Sequence, residues 1–174
     1  SAQVDNLLLL DNQAQRGGGI YLSSASATTV RHITTVGNAA SLEGPGLYFY
    51  GSNPSLLDSI VVDGIFVRPD PGNDPILRRV NVDPTKVIDT GLRVNDGNGH
   101  LVGADGNIFA DPLFVAGPRG AFYLSQTAAG QPANSPCLNP AGGVAVDESS
   151  PVWGLTTRTD GALDTGTGDL GYHY

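Results

Sequence analysis

Short apolar runs, each closed by Asn or Gly, recur along the first part of the chain. Leu7–Leu10 runs into Asp11-Asn12, and Gly17-Gly18-Gly19 runs into Ile20-Tyr21-Leu22. His32-Ile33-Thr34-Thr35-Val36-Gly37-Asn38 and Gly44-Pro45-Gly46-Leu47-Tyr48-Phe49 repeat that order, and a third pass starts at Ser59-Ile60-Val61-Val62-Asp63-Gly64. The offsets are 26 residues from Asn6 to His32, and 27 both from His32 to Ser59 and from Gly19 to Gly46. A period in the range of roughly 20–50 residues marks a stacked-repeat architecture. Apolar runs this short, broken by turn residues, fit a parallel β-solenoid in which each coil buries its inner face on its neighbours. The pattern predicts an all-β fold of about three coils with two strands per coil.

The strands predicted are the Leu7–Leu10 and Ile20–Leu22 runs, then Val30–Thr35, Leu47–Tyr50, Leu57–Val62, Leu77–Val82 and Val87–Asp89. Glycines ahead of the second strand suit corners that need positive φ or close backbone approach. Asn12 and Asn38 share one register, so their side chains are expected to lie one above the other as a ladder. Gly64 follows at that register, which would end the ladder after two rungs. Tyr21 and Tyr48 also share a register and are expected to stack. Pro69-Asp70-Pro71-Gly72-Asn73-Asp74-Pro75-Ile76 reads as a loop, because proline cannot donate to a ladder. Coils with loop excursions are assigned to residues 1–107. The aromatic, non-repeating residues 108–174 are assigned as a cap on the end of the stack within the same globular unit. Nothing resembling a cap precedes the first coil. Its edge is expected to be covered by an upstream coil or by another chain.

Composition sharpens this picture. Among 174 residues the formal net charge is -8, and there is one Lys, no Met, and 15 Asp against two Glu. Strong helix formers are nearly missing, while Gly, Pro and Asn belong to turns. An acidic chain is a poor match for nucleic acid or anionic lipid, which both attract basic patches. No apolar run is long enough for a membrane-spanning helix. There is no signal-peptide pattern and no initial Met, so a processed form or a fragment is expected. Cys137 is the single cysteine, which excludes an internal disulfide and reads as a buried small hydrophobe.

The end of the chain carries a specific resemblance. Asn107-Ile108-Phe109-Ala110-Asp111-Pro112-Leu113-Phe114, Tyr123-Leu124-Ser125-Gln126, Ser135-Pro136-Cys137, Thr157-Arg158-Thr159-Asp160-Gly161 and Asp169-Leu170-Gly171-Tyr172-His173-Tyr174 follow in that order. As an ordered set they resemble the choice-of-anchor Q domain of bacterial right-handed parallel β-helix surface proteins, and the Gly-rich coils upstream are similar to the β-helix that precedes it. The resemblance implies a right-handed coil, a secreted or cell-surface location in bacteria, and an anchoring segment absent from these residues. It implies no catalytic motif.

Two chemistries remain to be weighed. Parallel β-helices include polysaccharide lyases and glycoside hydrolases, which need paired carboxyl groups or a base beside a bound uronate. Asp58 and Asp63, with Arg31, His32 and Arg78 nearby, are the candidates. Turn chemistry accounts for Asp63, and a polar ladder or a surface position for His32. Calcium is the second chemistry. Asp96, Asn98, Asp105 and Asn107 offer hard oxygen ligands in Asp-Gly-Asn turns, without EF-hand or β-roll spacing. The sequence therefore favours a non-catalytic structural or adhesive segment or an assembly subunit, with a carbohydrate-active β-helix as the alternative. The partners expected are β-helix coils or another chain at the N-terminal end, or a cell-surface polysaccharide.

Overall fold

Thr29 lies beside Gln3 and Ser55 beside Thr29, all in parallel strands, so the 26-residue period of the sequence is a spatial period too. The structure is a computed structural model that describes residues 2–24, 27–68, 75–89 and 104–174. It is all-β. The strands are β1 (Gln3–Asp5), β2 (Leu8–Leu10), β3 (Gln13–Arg16), β4 (Ile20–Ser23), β5 (Thr29–Arg31), β6 (Thr34–Val36), β7 (Ala39–Glu43), β8 (Leu47–Tyr50), β9 (Ser55–Val61), β10 (Ile65–Val67), β11 (Ile76–Val82), β12 (Val87–Asp89), β13 (Phe114–Gly117) and β14 (Gly120–Leu124). Among the described residues the only helical pieces are short 3-10 turns.

Three parallel sheets repeat the same chain path. The largest places β1 and β2 beside β5 and β6, these beside β9, and β9 beside β11. The second runs β12-β10-β8-β4, and the third pairs β3 with β7. The third sheet was not legible in the pattern, because all four residues of Gln13–Arg16 are exposed and carry no apolar signal. The largest sheet also has a fourth rung, β11, where the sequence reading counted three coils. Its offset from β9 is shortened, with Ile76 opposite Ser55.

Side chains alternate between two faces of each strand. Val30, Ile33, Leu47, Phe49, Leu56, Val61, Ile65, Val67, Val80 and Val82 fill the space between the sheets. The opposite face of the largest sheet carries a second, smaller core. There Ile60 packs with Leu124, Cys137 and Leu170, flanked by Val62, Ile108, Phe114 and Leu138. Residues 108–174 thus do more than cap the end of the stack. They begin there, with Ile108 bridged to Asn81, and then fold back along its flank. The continuous run Ile60-Val61-Val62 is the sequence counterpart, since a strand buried on both faces loses its alternation.

Corners follow two columns of left-handed backbone. Gly17, Gly44 and Gly64 precede β4, β8 and β10 with φ of 61°, 66° and 103°. A Cβ at Gly17 would stand 2.5 Å from the Ile20 carbonyl oxygen, so only glycine fits. The other column bends the largest sheet and contains no glycine. Asn6, His32, Asp58 and Arg79 occupy it, with φ between 48° and 54°. The pairing of Arg31 with Leu57 puts His32 opposite Asp58, so the 27-residue offset to Ser59 read from the sequence is one residue too long.

Candidate functional site

The non-glycine column gathers most of the chain's candidate chemistry. Asp58 receives two hydrogen bonds from Arg79, Nε to Oδ1 at 2.5 Å and Nη2 to Oδ2 at 2.9 Å, and both side chains are largely buried. Arg31 makes a similar fork to Asp5, at 2.7 and 3.2 Å. Arg31, Asp58 and Arg79, together with His32, residues 144–146 and residues 149–151, line a cleft of about 100 Å³. Each guanidinium already has its carboxylate, so among the described residues the cleft holds no free cation for a bound uronate and no free pair of acids. Asp63 stands apart, its Oδ2 accepting from Asn38 Nδ2 at 2.7 Å. Arg78 is half-exposed, 3.9 Å from Asp105. The two carboxyl groups named as a hydrolase pair are thus each committed to a different partner.

His32 is buried, and its ring meets that of His173 edge-on with centroids 5.2 Å apart. Burial first, and then the His173 ring, lowers its pKa to about 4, so it is neutral near pH 7. His173 Nε2 lies 2.9 Å from Asp164 Oδ2 without hydrogen-bond alignment. Asp169 sits beside them, accepting from Thr157 Oγ1 at 2.6 Å and from the Asn139 N–H at 2.8 Å. Its pKa is raised, chiefly by burial and then by Asp164. This polar cluster was missed in the sequence, since its members are spread from residue 32 to residue 173. The repeated Asp, Thr and Gly of 157–169 were its only signal.

Of the calcium candidates only Asp105 and Asn107 are among the described residues, and their side chains serve other partners. Asp96 and Asn98 lie outside the described residues. Asp105 faces Arg78, and Asn107 is buried with its amide committed to the adjacent rung, Oδ1 accepting from Val80 N at 2.9 Å and Nδ2 donating to Leu77 O at 3.0 Å. Asn107 is therefore a backbone clamp. Among the described residues no three His, Cys, Asp or Glu side chains converge as metal ligands. Cys137 is fully buried, accepts from Asn81 Nδ2 at 3.1 Å, and has its pKa raised to about 11, chiefly by burial. A thiol held protonated in this way is a poor nucleophile.

The two ends of the stack differ. At the β11 and β12 end the inward residues Leu77, Val80, Val82 and Val87 are at most 7 % exposed. Residues 107–110 pair with β11 there, with Ile108 N donating to Val80 O and Val82 N to Ile108 O. At the other end β1, β2, β3 and β4 are the outer strands of all three sheets. Leu7 is 38 % exposed although Ile33, at the same inward register, is at 0 %. Tyr21 stacks on Tyr48 at 5.0 Å and 6°, as its register predicts, yet is 45 % exposed while Tyr48 is at 0 %. Val4, Ile20 and Leu22 are likewise only partly buried. The first rung thus offers half-covered core and a strand edge unpaired among the described residues. Among the described residues no helix is long and apolar enough to cross a membrane. No protein family, no curated protein and no solved structure matches the chain.

Proposed function

We propose that this chain is a non-catalytic structural or adhesive segment of a secreted or cell-surface bacterial protein, and that its parallel stack is a right-handed β-helix. Its working surface is the edge of the first rung, which takes a further coil or another chain. The observation that carries this reading is the contrast down one inward column, Leu7 at 38 % exposure against Ile33 and Val80 at 0 %. Burying such side chains is favourable by about 25 cal/mol per Å² of apolar surface. An uncovered parallel edge also recruits strands. The resemblance of residues 107–174 to the choice-of-anchor Q domain supports the location. The ion pairing of Asp58, Arg79, Arg31 and Asp5 supports a structural role for the column that would otherwise suggest a lyase or hydrolase. Incubation with acidic polysaccharides tests the choice. The structural reading expects no unsaturated or reducing-end product, and release of either at a rate above a boiled control contradicts it.

A further inference from the structure

The exposed first rung carries a polar ladder with a direction, and that direction limits what can cover it. Asn12 Nδ2 donates to Asn38 Oδ1 at 2.9 Å, and Asn38 Nδ2 donates to Asp63 Oδ2 at 2.7 Å. The ladder therefore has a third rung in Asp63, beyond the two that the register of Gly64 suggested. The orientation of Asn38 follows from its neighbours. Its Nδ2 faces the Asp63 carboxylate and the Leu9 carbonyl oxygen at 2.8 Å, which only accept, and its Oδ1 faces the Asn12 backbone N–H at 3.1 Å, which only donates. Asn38 Oδ1 in turn requires Nδ2 from Asn12. An ionised carboxylate has no donor to pass on, so Asp63 ends the ladder at one side and sets every amide above it. At the other side Asn12 commits its Nδ2 to Asn38, which leaves the acceptor Oδ1 as the amide atom for a rung above.

We infer that the first rung is covered by a parallel strand segment of an adjoining repeat that sets a hydrogen-bond donor, Asn above all, over Asn12 Oδ1, and an aromatic ring over Tyr21. This rests on the open-edge reading of the preceding subsection and specifies its partner. An acid at the ladder position is disfavoured, because the added rung would cover the exposed Asn12 and set a carboxylate against an acceptor away from water. The aromatic preference follows from the existing column, in which Tyr21, Tyr48 and Phe66 stack with centroids 5.0 and 5.3 Å apart. The Asp63 end cannot serve as the partner's ladder face in a head-to-tail copy, since it too only accepts.

The test adds one rung to the full chain. A second copy of residues 2–27 is fused directly ahead of residue 2, in three forms that keep Asn, or carry Asn12→Ala or Asn12→Asp, in the added copy alone. Amide hydrogen exchange is then read over the original β2 and β3. The Asn form is expected to give the strongest protection, and the Asp form to lose about tenfold relative to it, the cost of an unmet polar group. Equal protection in all three forms overturns the donor requirement and leaves the open-edge reading standing. Protection in none overturns the donor requirement as well, and the association state of the unmodified chain then decides separately whether the open-edge reading falls with it.

Discussion

Asn6 and His173 exchange two hydrogen bonds across 167 positions of sequence, Asn6 Nδ2 to His173 O at 2.9 Å and His173 N to Asn6 Oδ1 at 2.8 Å. The last residues of the chain thereby become a strap along the stack. Gly171 N donates to Asp58 O, Tyr172 N to Thr34 Oγ1, and His173 N to Asn6, one contact on each of three successive rungs. The strap runs toward the exposed first rung and holds it from the flank. Replacing Asn6 with Ala removes both bonds and puts a less tolerant residue at φ 54°. The expected loss is about 2 kcal/mol of unfolding free energy. Asn6→Gly relieves the backbone and should recover only part of it. Urea denaturation of the three proteins separates the two contributions.

Gly171 is the point where the strap lies closest to the sheet. A Cβ there would stand 2.6 Å from Thr34 Oγ1 and 2.8 Å from Ile60 Cδ1, at φ +83°. Gly171→Ala is therefore expected to cost more than about 2 kcal/mol, through overpacking and left-handed strain together. Gly154→Ala is the control, because its φ is +74° with nothing within 4 Å of its Cβ. It should show the backbone cost alone, a difference that thermal unfolding resolves.

The path of the chain was written in its period more plainly than its chemistry was. Val4, Val30 and Leu56 align because each rung must present an apolar side chain inward at the same place. The Asn12–Asn38 and Tyr21–Tyr48 pairs follow from that alignment. The bend occupied by Asn6, His32, Asp58 and Arg79 was hidden, since four unlike residues, none of them glycine, share one left-handed conformation. The strap and the polar cluster around Asp169 were hidden for another reason. They join residues far apart in the chain, and no repeat couples them.

Acid should loosen this molecule through His32. Its folded pKa of about 4 lies below the ordinary 6.5, so the unfolded chain binds the proton more readily between those values. Stability contributed by the neutral ring is complete above about pH 6.5 and is lost as pH falls toward about 4, by about 3 kcal/mol at most. The charges that bear on the ring are His173, Asp58, Arg31 and Asp5. Asp169 acts in the opposite sense, since its folded pKa is raised and its contribution declines as pH rises through that value. His32→Asn isolates the histidine, as Asn suits the left-handed backbone. Unfolding free energy measured from pH 4 to pH 7 should slope upward in the parent chain and lose most of that slope in the variant. Equal slopes would assign the pH dependence to other groups.

Sedimentation velocity across a concentration series tests the open first rung most directly. Leu7 N–H is not the exposed donor: Thr34 N bonds Leu7 O and Asp11 N bonds Val36 O, and the alternation of a parallel ladder then turns the Leu8 and Leu10 N–H groups outward. A Lys at Leu10 places a charge on that edge without removing a bond to the second rung. Without an adjoining repeat above it, the unmodified chain is expected to associate weakly and reversibly, first rung against first rung, as its concentration rises, and Leu10→Lys to remain monomeric over the same range. A parent chain that stays monomeric throughout, with its β2 amides protected from exchange as strongly as those of β6, would contradict the account.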